Sequence, residues 1–185
     1  TQLQDSFGMN MVALVDGQPR VCNLKLLISI FLEHRREVVT RRTVYELRKA
    51  RDRGHVLEGL AVALANIDDF ITLIKESPTP PVAKTALMSR GWDSSLVREM
   101  LDRATADAPG GAVSFRPEGL PASLGMQGDG LYRLSEDQAG EILQMRLQRL
   151  TGLEQDKILG EYREVMAQIA DLLGILATPA RVTTI

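Results

Sequence analysis

No proline interrupts the chain between residues 24 and 75, and this limits the possible folds more than any other feature. Proline in a helix interior removes a hydrogen bond and clashes with the preceding turn, so its absence allows one helix to continue. Asn23 can cap the start of that helix, and the run Ser77-Pro78-Thr79-Pro80-Pro81 ends it. We predict one long helix over 24–75, with a bend or register shift near Gly54 or Gly59.

Apolar residues divide this helix into two sections. Through residue 55 the apolar stripe is narrow and the other faces are charged, which is typical of one arm of a two-helix pair. Beyond Gly54 the stripe is wider and flanked by alanines, which indicates burial in a globular head. The predicted arm stripe is Leu24, Leu27, Ile28, Phe31, Val38 and Tyr45, and the predicted head stripe is Leu57, Leu60, Leu64, Ile67, Ile71 and Ile74.

A second long helix is predicted near the C-terminus. Its apolar residues alternate spacings of four and three; they are Ile158, Tyr162, Val165, Ile169, Leu172 and Leu176. Thr151 and Glu154 can form a capping box at its start. We expect this helix to run back, antiparallel, along residues 24–52, because neither helix is stable without a packed partner.

Shorter elements lie between the two long helices. Two helices are predicted at 82–89 and 94–104. Residues 106–130 are rich in glycine and proline, and we interpret them as a loop insertion. Ser135-Glu136-Asp137-Gln138 is a capping box, which predicts a helix that continues to about Leu150.

The N-terminal segment predicts β structure instead. Asp16-Gly17 lies between two apolar runs, and both central positions of a type I′ turn need a positive φ, so residues 9–22 read as a β-hairpin. A lone hairpin is marginal in water, so we expect it to belong to a sheet completed elsewhere.

The predicted fold class is therefore mainly α. A long antiparallel coiled-coil hairpin carries a small helical globular head, and a short β-hairpin precedes it. The expected divisions are 1–22 (β-hairpin), 23–56 (first arm), 57–152 (head, with the loop insertion 106–130) and 153–180 (return arm).

Composition limits the function classes. Lys and Arg total 22 against 24 Asp and Glu, a net charge of −2, so no global field attracts the chain to nucleic acid. The single Cys22 fits a reducing compartment, and no apolar run approaches the about 20 residues of a membrane span. We expect a soluble, cytoplasmic protein. The missing initial Met and the abrupt C-terminus are interpreted as cuts in a longer polypeptide.

Basic residues concentrate between residues 33 and 55. Eight Lys or Arg occur there against four Asp or Glu; the basic residues are Arg35, Arg36, Arg41, Arg42, Arg48, Lys49, Arg51 and Arg53. One interpretation is a solvated arm with i,i+4 ion pairs such as Glu37 with Arg41. The other is a positive wall that faces DNA. The two can hold on different faces of one helix.

No catalytic residue, cofactor site or metal site is predicted in this chain. The glycine-rich run at 125–130 lacks the Lys-Ser/Thr that a phosphate loop needs. His34 and His55 have no Cys or carboxylate at ligand spacing. Tyr45 and Tyr162 occupy stripe positions, and Tyr132 precedes a capping box, so packing is the expected role of all three rings.

Longer motifs indicate a family. Phe31-Leu-Glu-His-Arg-Arg-Glu-Val-Val-Thr-Arg-Arg-Thr-Val-Tyr-Glu-Leu-Arg-Lys-Ala50 and Arg53-Gly-His-Val-Leu-Glu-Gly-Leu60 resemble the DNA-gate subunit of bacterial type IIA topoisomerases. So do Leu134-Ser-Glu-Asp-Gln-Ala-Gly-Glu-Ile-Leu143 and Arg146-Leu-Gln-Arg-Leu-Thr-Gly-Leu-Glu154. Within that family the Leu-Thr-Gly-Leu-Glu sequence is similar to the gyrase A subunit rather than to topoisomerase IV.

The resemblance implies a part of a larger enzyme. Residues 1–22 would end the tower region, and two heads would meet about a two-fold axis as the exit (C-) gate of a homodimer. The parent enzyme would supercoil DNA together with the gyrase B subunit, using ATP and Mg bound elsewhere. Its active-site tyrosine motif is absent here, so this segment alone should be inactive. In the family, plasmid-borne toxin proteins attack the same gate.

Two sets of residues become site candidates under this resemblance. Arg35, Arg41, Arg42 and Arg48 would line the cavity that holds the DNA duplex in transit. Met145, Arg146, Leu147, Leu150 and Thr151 would contribute to the gate contact, and Arg146 matches the arginine of the toxin-sensitive motif. The alternative is a stand-alone coiled-coil scaffold or a non-specific DNA-binding protein.

Overall fold

A computed structural model describes residues 3–5, 8–105, 115–128, 130–146 and 152–184, and these are mainly helical. In chain order the elements are β1 (Met11–Val15), β2 (Gln18–Cys22), α1 (Leu24–Ala65), α2 (Ile67–Glu76), α3 (Pro80–Ser89), β3 (Gly91–Asp93), α4 (Ser95–Thr105), β4 (Gly125–Met126), β5 (Leu131–Arg133), α5 (Glu136–Leu143), α6 (Gly152–Ala177) and α7 (Pro179–Thr184). No helix in these ranges is long and apolar enough to cross a membrane.

Helix α1 contains 42 residues and begins as predicted, with the Asn23 side chain accepting a hydrogen bond from the backbone of Leu26 at 2.8 Å. It continues through Gly54 and Gly59 and ends at Ala65. The prediction of one helix reaching residue 75 is therefore wrong, because the helix breaks at Asn66. The Asn66 amide donates to Val62 O (2.8 Å) and to Asp93 O (2.9 Å). Because Asn hydrogen-bonds the backbone in competition with the helix, it ends α1 there, and a separate helix, α2, starts at Ile67.

Helix α6 packs along α1. Gly54 of α1 lies against Val165 and Ile169 of α6. Nearer the start of α1, Thr43 shares a groove with Leu172 and Ile175. Residues later in α6 therefore contact residues earlier in α1.

The predicted arm stripe of α1 is wrong by about one residue. Phe31 and Tyr45 are 65% and 66% exposed, and Leu24, Ile28 and Val38 are also exposed. The buried residues of this part of α1 are Val39, Thr43, Leu47 and Ala50. Since one residue turns a helix by about 100°, this offset places a different face against α6.

The physical reason lies in two residues that a search for large apolar side chains ignores. Thr43 is buried because its hydroxyl donates to Val39 O at 2.9 Å, which satisfies its polar atom within the helix. Ala50 is buried because a methyl group allows close approach of the partner helix. The stripe predicted for α6 is more accurate: Ile158, Tyr162, Ile169 and Leu172 are buried, and Val165 and Leu176 are half-buried.

The head stripe is confirmed in part. Leu57 and Leu60 are buried and Leu64, Ile67 and Ile71 are half-buried, whereas Ile74, near the end of α2, is 37% exposed. In α2 the buried residue is Phe70, which packs on Trp92 with ring centroids 3.8 Å apart.

The head contains a three-stranded antiparallel sheet, with strand order β3–β5–β4, that the prediction of a helical head lacked. Strand β4 lies inside the predicted loop 106–130, and Phe115 of that loop is buried in the core. Part of this loop is therefore packed into the core, and the insertion hypothesis stays a prediction; positions 106–114 and 129 lie outside the described residues. Strands of two or three residues give too few alternations for a sequence pattern to reveal.

The short helices of the head confirm most of their predictions. Helices α3 and α4 match the two expected after residue 80, and the capping box between Ser135 and Gln138 is present. Helix α5 ends at Leu143, so the prediction that it reaches Leu150 is wrong. The second capping box, at Thr151, lies outside the described residues.

The β-hairpin is confirmed with its turn. Asp16 and Gly17 have φ values of 54° and 77°, as a type I′ turn requires. Val12 pairs with Val21 and Leu14 with Pro19, so these four residues share one face of the hairpin, and Val12, Leu14 and Val21 are 63–74% exposed. In the described ranges β1 and β2 pair only with each other.

Candidate functional site

The arm arginines lie on an exposed surface and pair with neighbouring glutamates. Arg41 contacts Glu37 at 2.5 Å, and Arg42 donates from Nε to Glu46 Oε1 at 2.8 Å. The hydrogen bond and the charge of Glu46 raise the pKa of Arg42. The interpretation of a solvated arm with i,i+4 ion pairs is thus confirmed for Glu37 and Arg41.

Arg48 contacts the head rather than the next turn of its own helix. Its guanidinium lies 3.0 Å from Glu118 Oε2, and Arg51 reaches the other oxygen of the same carboxylate at 3.5 Å. Arg35 lies nearer the start of α1, where it lines the groove between α1 and α6. The four DNA-cavity candidates therefore occupy one helix but three different surroundings.

Contact between these arginines and DNA stays a prediction. Exposed ion pairs are worth roughly 0–1 kcal/mol and are screened by salt, so a phosphate group can displace a glutamate at little cost. The surroundings make Arg41 and Arg42 the more available pair, with side chains 77% and 76% exposed.

Two of the five gate candidates are described, and they lie in the turn after α5. The Met145 amide donates to Ile142 O at 3.1 Å, and its half-buried side chain packs against the core. Arg146 is exposed. Leu147, Leu150 and Thr151 lie outside the described residues. The rigid helix that was expected to present these residues ends before them.

A buried polar cluster connects α1, β5, α5 and α6, and the sequence alone did not predict it. Its centre is Glu58 of α1, whose side chain is 17% exposed. Tyr132 of β5 donates to Glu58 Oε2 at 2.7 Å, and Tyr162 of α6 donates to Oε1 at 3.3 Å. Burial raises the pKa of the Glu58 carboxyl, which the two hydroxyl donors partly oppose, and burial also raises the pKa of both tyrosines.

Gln138 of α5 extends this cluster to His55. Its amide nitrogen donates to Tyr132 Oη (2.7 Å) and to His55 O (2.6 Å), and it lies 3.2 Å from His55 Nδ1. Those two bonds use both hydrogens of the amide, and His55 Nε2 lies 2.8 Å from Ser135 Oγ. Burial lowers the pKa of His55 to about 4, so the ring is neutral at pH 7.

We call these six residues the junction cluster: His55, Glu58, Tyr132, Ser135, Gln138 and Tyr162. They belong to α1, β5, the turn before α5, α5 and α6. Gly59 allows the close approach, since a methyl group there would come within 2.7 Å of Gln138 Cγ. Every buried side-chain nitrogen and oxygen in the described ranges has a hydrogen-bond partner.

A cavity of about 210 Å³ adjoins the junction cluster. Gly54, His55 and Glu58 form one wall, Tyr162 and Met166 another, and the remaining wall comes from Leu101 and the segment 115–126. Arg116 of that segment donates to Pro121 O and Leu124 O at 3.0 and 2.9 Å. The Glu58 carboxyl thus contacts α6 and β5 on one side and borders the cavity on another.

The sequence contained a signal for this cluster. Glu58 interrupts an otherwise apolar run, Leu57-Glu58-Gly59-Leu60-Ala61, and a charged residue inside such a run indicates a buried carboxyl with partners. The packing role predicted for Tyr132 and Tyr162 is confirmed, since both are buried, and the one predicted for Tyr45 is wrong. The capping role of Gln138 is confirmed, but capping uses only its oxygen.

The remaining motifs carry no chemistry of their own in the described residues. Gly125 and Met126 form β4, and the backbone N–H of Gln127 donates to Leu131 O of β5 at 2.9 Å. Across the same ranges, no three His, Cys, Asp or Glu side chains lie close enough together to hold a metal ion. Cys22 is buried at the end of β2.

Comparisons with known proteins agree on one family. The family model described as the A subunit of DNA gyrase/topoisomerase IV matches residues 1–185. The DNA gyrase A subunit of Pseudomonas aeruginosa is 59% identical over 181 residues, covering 98% of this chain and 19% of the relative. That of Neisseria gonorrhoeae is 55% identical over 185 residues (100% and 20%), and that of Escherichia coli K12 is 59% identical over 162 residues (88% and 18%). The chain spans about a fifth of the length of these curated relatives.

Proposed function

The chain belongs to the family of DNA gyrase/topoisomerase IV A subunits, and from this premise we propose that it is the exit-gate part of a DNA gyrase A subunit. Together with the gyrase B subunit, the complete enzyme would negatively supercoil DNA by ATP-dependent double-strand passage in the bacterial cytoplasm. The observation that carries the proposal is the match of the family model to residues 1–185, together with relatives that are 59% identical over 181 residues and 55% identical over 185. It favours this function over a stand-alone scaffold or a non-specific DNA-binding protein.

In this proposal each region has a mechanical role. Residues 1–22 end the tower region, 23–56 and 153–180 are the two arms of an antiparallel coiled coil, and 57–152 is the dimerisation head. The reversed order of contacts between α1 and α6 supports the two-arm assignment. The core around Trp92 and Tyr132 supports a packed head, and it is continuous with the buried residues Leu47 and Ile169 of the arms.

The head would meet its copy in the homodimer through the turn after α5. Arg146 is exposed there, and Met145, Leu147, Leu150 and Thr151 complete the proposed contact. A two-fold contact uses the same surface on both protomers, so a change of charge at Arg146 would occur on both sides of the contact. The same turn is the proposed point of attack for gyrase-targeting toxin proteins.

Strand passage would bring the transported duplex between the arms. Arg35, Arg41, Arg42 and Arg48 would then make weak, sequence-independent phosphate contacts. The chemistry of DNA cleavage and of ATP and Mg binding would lie in other parts of the enzyme, so this segment alone would neither cut nor supercoil DNA.

A hybrid enzyme tests the function. The matching part of the E. coli DNA gyrase A subunit is exchanged for this chain, and the hybrid is assembled with the B subunit. We expect ATP-dependent supercoiling of relaxed plasmid, close to that of the unexchanged enzyme measured in parallel. A hybrid that assembles and cleaves DNA but never supercoils it would overturn the proposal.

Two sets of substitutions within that hybrid test the site assignments. Arg146→Glu and Leu150→Glu should weaken head-to-head association in sedimentation at low protein concentration, whereas Arg133→Glu on β5 should not. Changing the four arm arginines to Gln should lower DNA affinity at low salt and reduce its salt dependence. Association and affinity of normal strength would reject the gate and cavity assignments respectively.

A further inference from the structure

The junction cluster places a carboxyl where an apolar side chain would serve packing at lower cost. Glu58 lies in a stretch of α1 whose neighbouring residues Leu57, Leu60 and Ala61 are buried, and burying a carboxyl costs free energy unless donors compensate for lost water. Replacing buried polar groups by apolar ones is often neutral or stabilising in proteins. The carboxyl therefore calls for a role other than stability.

What the carboxyl adds is direction. Apolar side chains on neighbouring helices can slide while they stay in contact, but a hydrogen bond holds its two atoms within a few tenths of an ångström and in line. Glu58 receives one such bond from Tyr162 of α6 and one from Tyr132 of β5. Three elements are thus fixed in angle at a single side chain of α1.

The cavity shows why packing alone would leave this angle free. It lies beside Glu58 and Tyr162, and its lining includes the flexible side chains of Met126 and Met166. A helix that shifted toward this space would meet no closely packed wall. Hydrogen bonds at Glu58 resist that shift, and the network through Gln138 extends the restraint to α5.

We propose that Glu58 is a positioning residue that holds α6 and the head sheet at a fixed angle to α1, so that movement of the arms is transmitted to the head. The inference rests on the proposed function, because the transmitted movement is the opening and closing of the exit gate. Tyr132 and Tyr162 act through Glu58 as the head side and the return-arm side of the same restraint.

The first experiment uses the complete gyrase assembled from its two kinds of subunits. Glu58→Leu removes both acceptor oxygens, and Tyr162→Phe removes only the bond to α6. We expect DNA cleavage within about twofold of wild type and strand passage lowered by on the order of tenfold for Glu58→Leu, which loses both hydrogen bonds. Tyr162→Phe should show a smaller loss, and Glu58→Gln, which retains one acceptor, should recover part of the activity.

Glu164→Gln is the matched control, because Glu164 is an exposed carboxylate two residues from Tyr162 on the same helix. It should leave cleavage and passage unchanged. A role in folding alone would lower cleavage and passage together, so the split between them identifies positioning. If Glu58→Leu fails to fold, Tyr162→Phe decides the question, since it removes one hydroxyl and preserves the ring.

The second experiment measures the angle without any DNA. Spin labels at Arg36→Cys on the arm and Arg133→Cys on β5 occupy exposed positions of one protomer, with Cys22 changed to Ala. The distance distribution should be narrow in the parent and broader in Glu58→Leu and Tyr132→Phe, the two variants that lose the bond between α1 and β5. An unchanged distribution overturns the inference, as does a broader distribution with full strand passage. A wild-type enzyme that cleaves but passes no duplex would refute the proposed function instead, and the distance measurement would still stand.

Discussion

The two halves of α1 are stabilised by opposite kinds of interaction. Residues 24–46 are mostly exposed, and their polar contacts are ion pairs in water, such as Glu37 with Arg41. Residues 54–63 are mostly buried, and their polar contacts form the junction cluster. The comparison shows that one continuous helix serves as a solvated rod at one end and as a fixed attachment at the other. Stability should therefore depend far more on the attachment.

The largest expected effect is the loss of Gln138. Gln138→Ala removes two short hydrogen bonds, the return bond of the capping box and a fully buried side chain. We expect the free energy of unfolding to fall by about 4 kcal/mol in urea titration. Gln144→Ala, an exposed glutamine at the end of α5, should change it by less than about 0.5 kcal/mol. Equal effects of the two substitutions would contradict the comparison.

The next effect is a dependence on acid that comes from one histidine. Folding lowers the pKa of His55 from 6.5 to about 4. Between these two pH values the unfolded chain therefore binds a proton that the folded chain does not. Stability from the neutral ring is therefore present above pH 6.5 and is lost as pH falls toward 4, by on the order of 3 kcal/mol. Between pH 7 and pH 4 the free energy of unfolding should fall more steeply in wild type than in His55→Gln.

His34 supplies the control for that measurement, since it is exposed on the arm. His34→Gln should follow the wild-type curve. An NMR titration of the His55 imidazole with a midpoint near 6.5 would disprove the argument directly. Glu58 acts in the opposite sense: its pKa is raised by burial, so its contribution is present at low pH and is lost as pH rises.

Two glycines of α1 sharpen the comparison within the buried half. Alanine favours helix over glycine by up to about 1 kcal/mol. At Gly59 the added methyl group would clash with Gln138, whose amide is fixed by its hydrogen bonds, so Gly59→Ala should cost about 2 kcal/mol. At Gly54 it would meet Val165 and Ile169 at 3.5 and 3.6 Å, an ordinary contact, so Gly54→Ala should be neutral or stabilising. The thermal unfolding midpoint should fall in Gly59→Ala and should stay the same or rise in Gly54→Ala.

The smallest effect is expected on the arm. Arg41→Ala breaks the pair with Glu37, in which both side chains are more than half exposed. Such pairs contribute roughly 0–1 kcal/mol and less in salt, so the unfolding midpoint should hardly move at about 150 mM salt. A loss as large as that of Gly59→Ala would mean that the arm is not the solvated rod described above.

The sequence was informative wherever one local rule decided the structure. The Asn23 cap, the Asp16-Gly17 turn and the Ser135–Gln138 capping box each depend on a few neighbouring residues, and all three are confirmed. The four large residues of α6 that proved buried follow the same logic, because side-chain size and spacing suffice there.

It failed where a distant partner decides. The face of α1 that packs on α6 uses Thr43 and Ala50, which become good core residues only against a particular neighbour. Asn66 ends α1 partly because Asp93, far along the chain, supplies a carbonyl. Glu58 was visible as an oddity in an apolar run, but its two tyrosines arrive from β5 and α6, and no spacing rule connects them.

The length of α1 gives the junction cluster mechanical leverage. Leu24 lies 34 residues from Glu58 on the same unbroken helix, a distance of about 50 Å at 1.5 Å per residue. A rotation of about 5° around the cluster would displace the start of the helix by about 4 Å, roughly three quarters of the about 5.4 Å rise of one helical turn. A hydrogen bond that lengthens by a few tenths of an ångström at one end would thus correspond to a movement the size of a whole side chain at the other.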